Sequence, residues 1–183
     1  MYVGDNSFYP PANDTDWAQK TNRPWFQRLL TYSGGQWTNG VYVCPLFHGY
    51  ARDFQGVFSG GTIGYPAQGS YGYNDSGTQR TAGPDAQLLG LGPSAYGGSR
   101  RVNEGMVVAP SNMMAIGDSG GTDRLHYRSE IYYEWTKHKR SHNTVFCDGH
   151  VEEMKMGARS KKTDEARRRW NLDNEPHPET WED

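Results

Sequence analysis

The chain has 183 residues, 34% hydrophobic and 22% charged, with a formal net charge of -2 at neutral pH. That length supports one domain with its own core, and the near balance of charge excludes the broad basic surface of a bulk nucleic-acid binder. The 23 glycines, 10 prolines and 13% aromatic residues, with a mean hydropathy of -0.89, suit a loop-rich, strand-containing domain better than a helical bundle. No signal peptide is visible, and no apolar run approaches the ~20 residues that span a bilayer.

Residues 1–20 are polar and rich in turn formers. The first predicted helix runs from Pro24 to Leu30. Proline suits a first helical turn, and Thr21 or Asn22 can cap it. Trp25, Phe26, Leu29 and Leu30 fall on one face, and Ser33-Gly34-Gly35 stops the helix. Val41 to Cys44 is a predicted strand ended by Pro45. Residues 46–105 are rich in glycine and tyrosine, with short strands expected near Val57-Phe58 and Ser70–Tyr73. Met113 to Ile116 is a short apolar run, expected as a buried strand, and Ile131–Tyr133 is another strand candidate. Asn143–Cys147 and His150–Met154 flank Asp148-Gly149, the sequence of a two-residue hairpin turn of type I′, which needs positive φ at both central positions. From Arg159 to Arg169 there are six basic and two acidic residues, and from Asp173 to Asp183 five acidic ones. Thr163 is positioned to cap a short helix through Trp170. The division expected is a globular domain over residues 1–158 and a charged carboxy-terminal tail over 159–183, either solvated and partly disordered or docked on a neighbouring subunit, with no internal repeat.

Three arrangements carry chemistry on paper. Gly117-Asp118-Ser119-Gly120-Gly121 copies the nucleophile block of trypsin-like proteases. That chemistry also needs a histidine base and an aspartate to orient it. The histidine that precedes Ser119, His48, sits in an unrelated setting, so the string reads as a turn and no catalytic residue is expected. Asp118 and Asp123 offer hard oxygen ligands in a glycine-rich loop, a candidate Ca²⁺ site without the spacing of an EF-hand. His138, His142, Asp148 and His150 carry transition-metal ligand types, but a hairpin spreads them along its length. A structural role is the expectation there, with His138 folding back onto the Asp148 turn.

Read together, several blocks resemble one family. His138, nine residues, then Asp148-Gly149-His150 is similar to the carboxy-terminal signature of bacterial prepilin-type, pseudopilin-like proteins. Met1–Asn6 with Tyr9-Pro10-Pro11 resembles the end of the pilin helix and the segment after it, and Val43-Cys44-Pro45 the family's Cys-Pro step. Ser70-Tyr71-Gly72-Tyr73-Asn74, Pro110-Ser111 to Gly117-Asp118-Ser119, and Arg168-Arg169-Trp170-Asn171 with Glu175-Pro176-His177 resemble further blocks in the same order. The resemblance implies an α+β, pilin-like fold: an amino-terminal helix, mostly missing from this chain, packed on a small antiparallel sheet with long loops. It implies a structural subunit of a type IV pilus-like or type II secretion pseudopilus filament, not an enzyme. The precursor would be membrane-anchored only through the missing helix, located in the cell envelope or outside the cell. Homo-oligomeric contacts would run through that helix and the tail, where Trp170 and Trp181 are candidate docking residues, and nucleic acid is not an expected partner. Major pseudopilins often bind calcium in a comparable loop, which adds to the reading of Asp118 and Asp123.

In an extracytoplasmic protein, Cys44 and Cys147 admit three readings. One is a Cys44–Cys147 disulfide closing a loop of about 100 residues, which the chain-entropy view values at no more than about 4–5 kcal/mol. Another, which the resemblance implies, is a bond from one of them to a cysteine on the missing helix, and the third is a pair of free buried thiols. The alternative function is an extracellular binding module, for carbohydrate or another surface ligand, using Tyr65, Tyr71, Tyr73 and Tyr96 among the glycine-rich loops.

Overall fold

A computed structural model describes residues 2–16, 21–35, 40–46, 70–79, 88–92, 101–119, 123–125, 138 and 140–181. The fold is α+β, a four-stranded antiparallel sheet with a few short helices. In chain order the main elements are α1 (Tyr2–Asn6), β1 (Asn13–Asp16), β2 (Thr21–Pro24), α2 (Trp25–Ser33), β3 (Tyr71–Tyr73), β4 (Met114–Asp118), β5 (Ser141–Phe146), β6 (Val151–Lys155) and α3 (Asp164–Arg168). β1 and β2 form a separate antiparallel pair, and the main sheet has the order β3-β4-β5-β6.

The sheet is organised about β4. Its apolar run reads as a strand buried on both faces, because successive side chains point to opposite sides. Met113 and Ala115 join one core cluster with Trp25, Phe26, Tyr73 and Leu91. Met114, between them, joins the other with Leu125, Phe146, Met154 and Trp170. β4 meets β3 through Tyr71 opposite Asp118, and meets β5 through Gly117 opposite Thr144, with a register shift between Met114 and Ile116. Gly117 is required by a close approach: a Cβ there would lie 2.2 Å from Nη1 of Arg159, whose buried guanidinium crosses the strand and donates to the Asp118 carbonyl at 2.8 Å.

α2 covers the first cluster. Trp25 and Phe26 are buried, and Leu29 and Leu30 pack beside them, on the face the spacing predicts. Trp25 stacks on Tyr73 with ring centroids 5.3 Å apart and donates its indole N–H to the Asp123 carbonyl at 2.7 Å. The start differs from expectation. Pro24 itself is the N-cap, in an extended conformation and without a side-chain cap, because Thr21 and Asn22 are already paired in β2. The stop is as read: Gly34 has φ 65° and donates to the Leu30 carbonyl.

Two other expectations are corrected. The segment read as a strand from Val41 to Cys44 contains a 3₁₀ turn, Gly40–Tyr42. Ser70 holds it, its hydroxyl oxygen accepting from the Cys44 N–H at 2.7 Å and its O–H donating to the Tyr42 carbonyl at 3.1 Å. The β5–β6 hairpin forms, but its connection has three residues, Cys147, Asp148 and Gly149, with the Phe146 N–H bonded to the His150 carbonyl and the Gly149 N–H to the Phe146 carbonyl. Gly149 is the turn residue with positive φ, at 93°; Asp148 is not, so the geometry is that of a longer loop with one left-handed residue. Phe146, rather than Cys147, therefore opposes His150. The strands expected near Val57-Phe58 and Ile131–Tyr133 lie outside the described residues.

The charged segment after residue 158 packs against the sheet. Thr163 caps α3, its Oγ1 accepting from the Ala166 N–H. Trp170 is fully buried and donates to the Arg159 carbonyl at 2.8 Å. Asn74 joins this segment to β4, its side-chain amide donating to the carbonyls of both Met114 and Trp170 at 2.8 Å. Trp170, expected as a docking residue for a neighbouring subunit, is a core residue of its own chain. Trp181 donates to the Pro176 carbonyl and lies under the Arg167 guanidinium.

Candidate functional site

His138 lies at the entry to β5, with φ 48°, a left-handed conformation that is uncommon outside glycine. Its side chain does not reach the Asp148 turn. The six residues of β5 separate the two by roughly 20 Å at ~3.3 Å per residue. His138 instead meets the end of β4 and the turn before Pro45. Its Nε2 is 3.3 Å from Asp118 Oδ2 and 3.2 Å from Cys44 Sγ. The three ligand-type atoms of Cys44, Asp118 and His138 all lie within 4.8 Å of one another, the one such group of three or more found among the described residues.

Each member is placed by backbone structure. Cys44 is held through Ser70, as above. Asp118 ends β4, where Oδ2 accepts the Asn143 N–H at 2.7 Å and its carbonyl accepts from Arg159. Asp118 Oδ1 is buried and has no hydrogen-bond partner among the described residues. Cys44 and Asp118 are almost fully buried, whereas the His138 side chain keeps 24% of its surface, so the cluster has one face toward solvent. Tyr71 stands nearby: burial first, then Cys44 and Asp118, push its phenol up to about 12.

The arrangement sorts the chemistry. A Cys-His-Asp catalytic triad uses both imidazole nitrogens, one toward the nucleophile and one toward the orienting carboxylate. Here the thiol and the carboxylate both face Nε2, so the aspartate cannot orient the ring for proton transfer from the thiol. Thiol, carboxylate and imidazole converging on one point are instead a ligand set. Ser119 is buried beyond the end of β4, its N–H donating to the Ser70 carbonyl. His48 lies outside the described residues.

The two carboxylates expected to share calcium have different surroundings. Asp118 faces Asn143 and His138. Asp123 is buried near Asp75 and Arg124, and its carboxyl is raised to about 6, chiefly by burial, with Arg124 opposing and Asp75 adding to the rise. Arg124 Nη1 is 3.2 Å from Asp75 Oδ2, an ion pair off hydrogen-bonding alignment.

The other end of the signature is a separate network. His150 Nδ1 is 2.6 Å from Asp148 Oδ1, and Nε2 is 3.3 Å from Glu152 Oε1. The imidazole stacks on Phe146 at 4.3 Å. Hydrogen bonds from the His150 N–H and ring hold the Asp148 carboxyl below its usual range. Asp148 first, then Glu152, raise the His150 imidazole. His142 is buried within β5. Both cysteines are free: Cys44 faces His138, whereas Cys147 hydrogen-bonds Tyr9 in the first core cluster. Burial pushes the Cys147 thiol up to about 12, opposed by Tyr9, and drives the Tyr9 phenol well above its ordinary value. Cys147 is thus an inert thiol. Of the four loop tyrosines, Tyr71 and Tyr73 belong to β3, with Tyr73 buried; Tyr65 and Tyr96 lie outside the described residues.

Nothing in the sequence alone brings Cys44 to His138. Positions 44, 118 and 138 share no spacing rule. The available signal was that each belongs to a different block of the family resemblance. Compared with known proteins, the chain matches no family model, no curated protein and no solved structure.

Proposed function

We propose that this chain is the globular head of a prepilin-type, pseudopilin-like structural subunit, displayed on a filament in the cell envelope or outside the cell. One observation carries the reading: the blocks that resemble the family are bonded to one another. Asn74, from the Tyr-Gly-Tyr-Asn block, spans β4 and Trp170, from the Arg-Trp-Asn block. Cys44, Asp118 and His138, from three further blocks, share one point. Residues used to tie a fold together suit a subunit whose work is to present a rigid surface. The four-stranded antiparallel sheet is compatible with a pilin-like head. So is the helical turn α1, whose Asn6 amide donates to the Tyr32 hydroxyl of α2 at 3.0 Å. In this reading a preceding helix supplies the anchor and the filament core; among the described residues no helix is long and apolar enough to cross a membrane. Lys161, Asp164 and Glu165 are exposed and offer charge for head-to-tail contacts between subunits.

The test is expression of the native gene with its upstream codons in its own host, followed by immunogold electron microscopy with antibodies to this domain. Labelled helical filaments, lost when the upstream segment is deleted, are the expected result. An unassembled protein that binds glycans on an array would replace this reading with the binding module.

A further inference from the structure

We propose that Cys44, Asp118 and His138 form a binding site for a divalent transition metal of the zinc class, with a solvent molecule as fourth ligand. Thiolate, imidazole and carboxylate are the ligand types that such an ion takes in tetrahedral sites, with bonds of about 2.0–2.3 Å. Bonds of that length place neighbouring ligand atoms roughly 3.3–3.8 Å apart. Nε2 already lies 3.2 Å from Sγ and 3.3 Å from Oδ2, so small side-chain rotations complete the geometry. Calcium is disfavoured, since it takes six to eight oxygen ligands and two of these three are nitrogen and sulfur.

Three features favour a metal over a simple polar contact. The carboxylate has unmet acceptor capacity among the described residues: Asp118 Oδ2, the oxygen near His138, accepts only the Asn143 N–H, and Asp118 Oδ1 is buried with no hydrogen-bond partner, a state that in a native fold calls for a missing partner such as an ion. Two ligands are anchored: the Asn143 N–H donates to the Asp118 carboxylate, an outer contact of the kind that orients metal ligands, and the Ser70 hydroxyl accepts the backbone N–H of Cys44. Finally, the exposed edge of His138 gives an entry path and room for a water ligand. Binding converts the Cys44 thiol to a thiolate, and its proton passes to solvent, so affinity rises with pH. The ion would join three segments distant in sequence: the turn before Pro45, the end of β4 and the entry to β5. With one solvent position the site is a clip that can also exchange its fourth ligand. It is independent of the filament reading and requires nothing from it.

The test uses purified protein dialysed against a chelator and titrated with Zn²⁺, then with Co²⁺ as a spectroscopic stand-in. Expected are one equivalent of Zn²⁺ per chain and release of protons on binding. Co²⁺ should give a thiolate-to-cobalt charge-transfer band in the near ultraviolet. The melting temperature should rise by about 5–10 °C at a hundredfold excess over Kd. Cys44→Ser should abolish the charge-transfer band, His138→Gln should weaken Zn²⁺ binding at least about a hundredfold, and Cys147→Ser should change neither. If both ligand variants fail to fold, reversal of the wild-type melting shift by chelator and its return with Zn²⁺ still decides for the site. No stoichiometric uptake by the wild type, a cobalt spectrum without the thiolate band, a Cys44→Ser variant that binds unchanged, or a native disulfide at Cys44 would each overturn it.

Discussion

The two ends of the His138–His150 segment do opposite things. At the His138 end, the side chain reaches across the fold to residues 20 and 94 positions away, and its partners are buried. At the Asp148–His150 end, the side chains engage Phe146 and Glu152 as well as each other, all within four residues, and Asp148 is exposed. β5 separates the two. A motif that looks like one unit in sequence is thus two devices joined by a strand of fixed length: a long-range tie and a local turn. Loss of the first should be felt throughout the sheet, and loss of the second only in the hairpin.

The largest effect is expected at Trp170, which supports both ends. Trp170 packs in the cluster that contains Phe146 and Met154, behind the hairpin, and its neighbour Arg169 supplies the carbonyl that accepts the Met114 N–H of β4. Trp170→Ala should cost about 3–5 kcal/mol, lowering the melting temperature by roughly 6–20 °C in a domain of this size. Calorimetry gives the value. A shift within error would mean that the segment after residue 158 is a solvated tail after all. Next in size is the long-range tie. Asp118→Ala removes the acceptor of the Asn143 N–H and the partner of His138. An unsatisfied buried donor costs about 1–3 kcal/mol, and the part-buried Asn143 N–H belongs at the low end of that range. Hydrogen exchange should then quicken at Asn143 while the turn amides at Gly149 and His150 stay protected. Equal loss at both ends would refute the division.

What was legible in the sequence followed from local physics. The double-faced apolar run gave β4 a position, glycine at 34 ended α2, and Thr163 capped α3, because each depends on a few neighbouring residues. The tie at His138 was not legible. Cys44, Asp118 and His138 meet only once the sheet order sets the end of β4 beside the start of β5, and composition says nothing about that. The charged stretch misled for a related reason. Six basic residues in eleven read as solvated, yet Arg159 and Arg167 are buried, with the Arg159 guanidinium on the carbonyl of Asp118 and the Arg167 guanidinium on that of Ser160. A long side chain with several donors can be held inside by backbone acceptors that meet part of its donor set, which no charge count reveals.

At the turn the effects are smaller and specific in kind. Gly149→Val meets no steric obstacle, since nothing lies within 4 Å of an added Cβ; the penalty is conformational, from φ 93°. About 1–2 kcal/mol is expected, a fall of roughly 2–8 °C. The cobalt spectrum of the Cys44 site should be unaltered. A changed spectrum would mean that the two devices are coupled through the strand between them.

The smallest effect is the pH response of the turn, and its sign distinguishes the ends further. Asp148 and Glu152 raise the His150 pKa, so this histidine's contribution is full below its unfolded value near 6.5 and fades as pH rises through the folded value. The Asp148 carboxyl is lowered, so its contribution is present above about 3.8, its unfolded value, and is lost as pH falls through the folded one. The pair therefore supports the hairpin most between roughly pH 4 and 6.5. His150→Gln should flatten that window in a plot of melting temperature against pH, leaving the acid limb set by the remaining carboxylates. Both groups are exposed, so added salt should shrink the response. The proposed metal site moves the other way, since thiol deprotonation strengthens it as pH rises. A zinc-loaded protein whose stability climbs from pH 6 to 8 while the turn's contribution declines would display both devices in one titration.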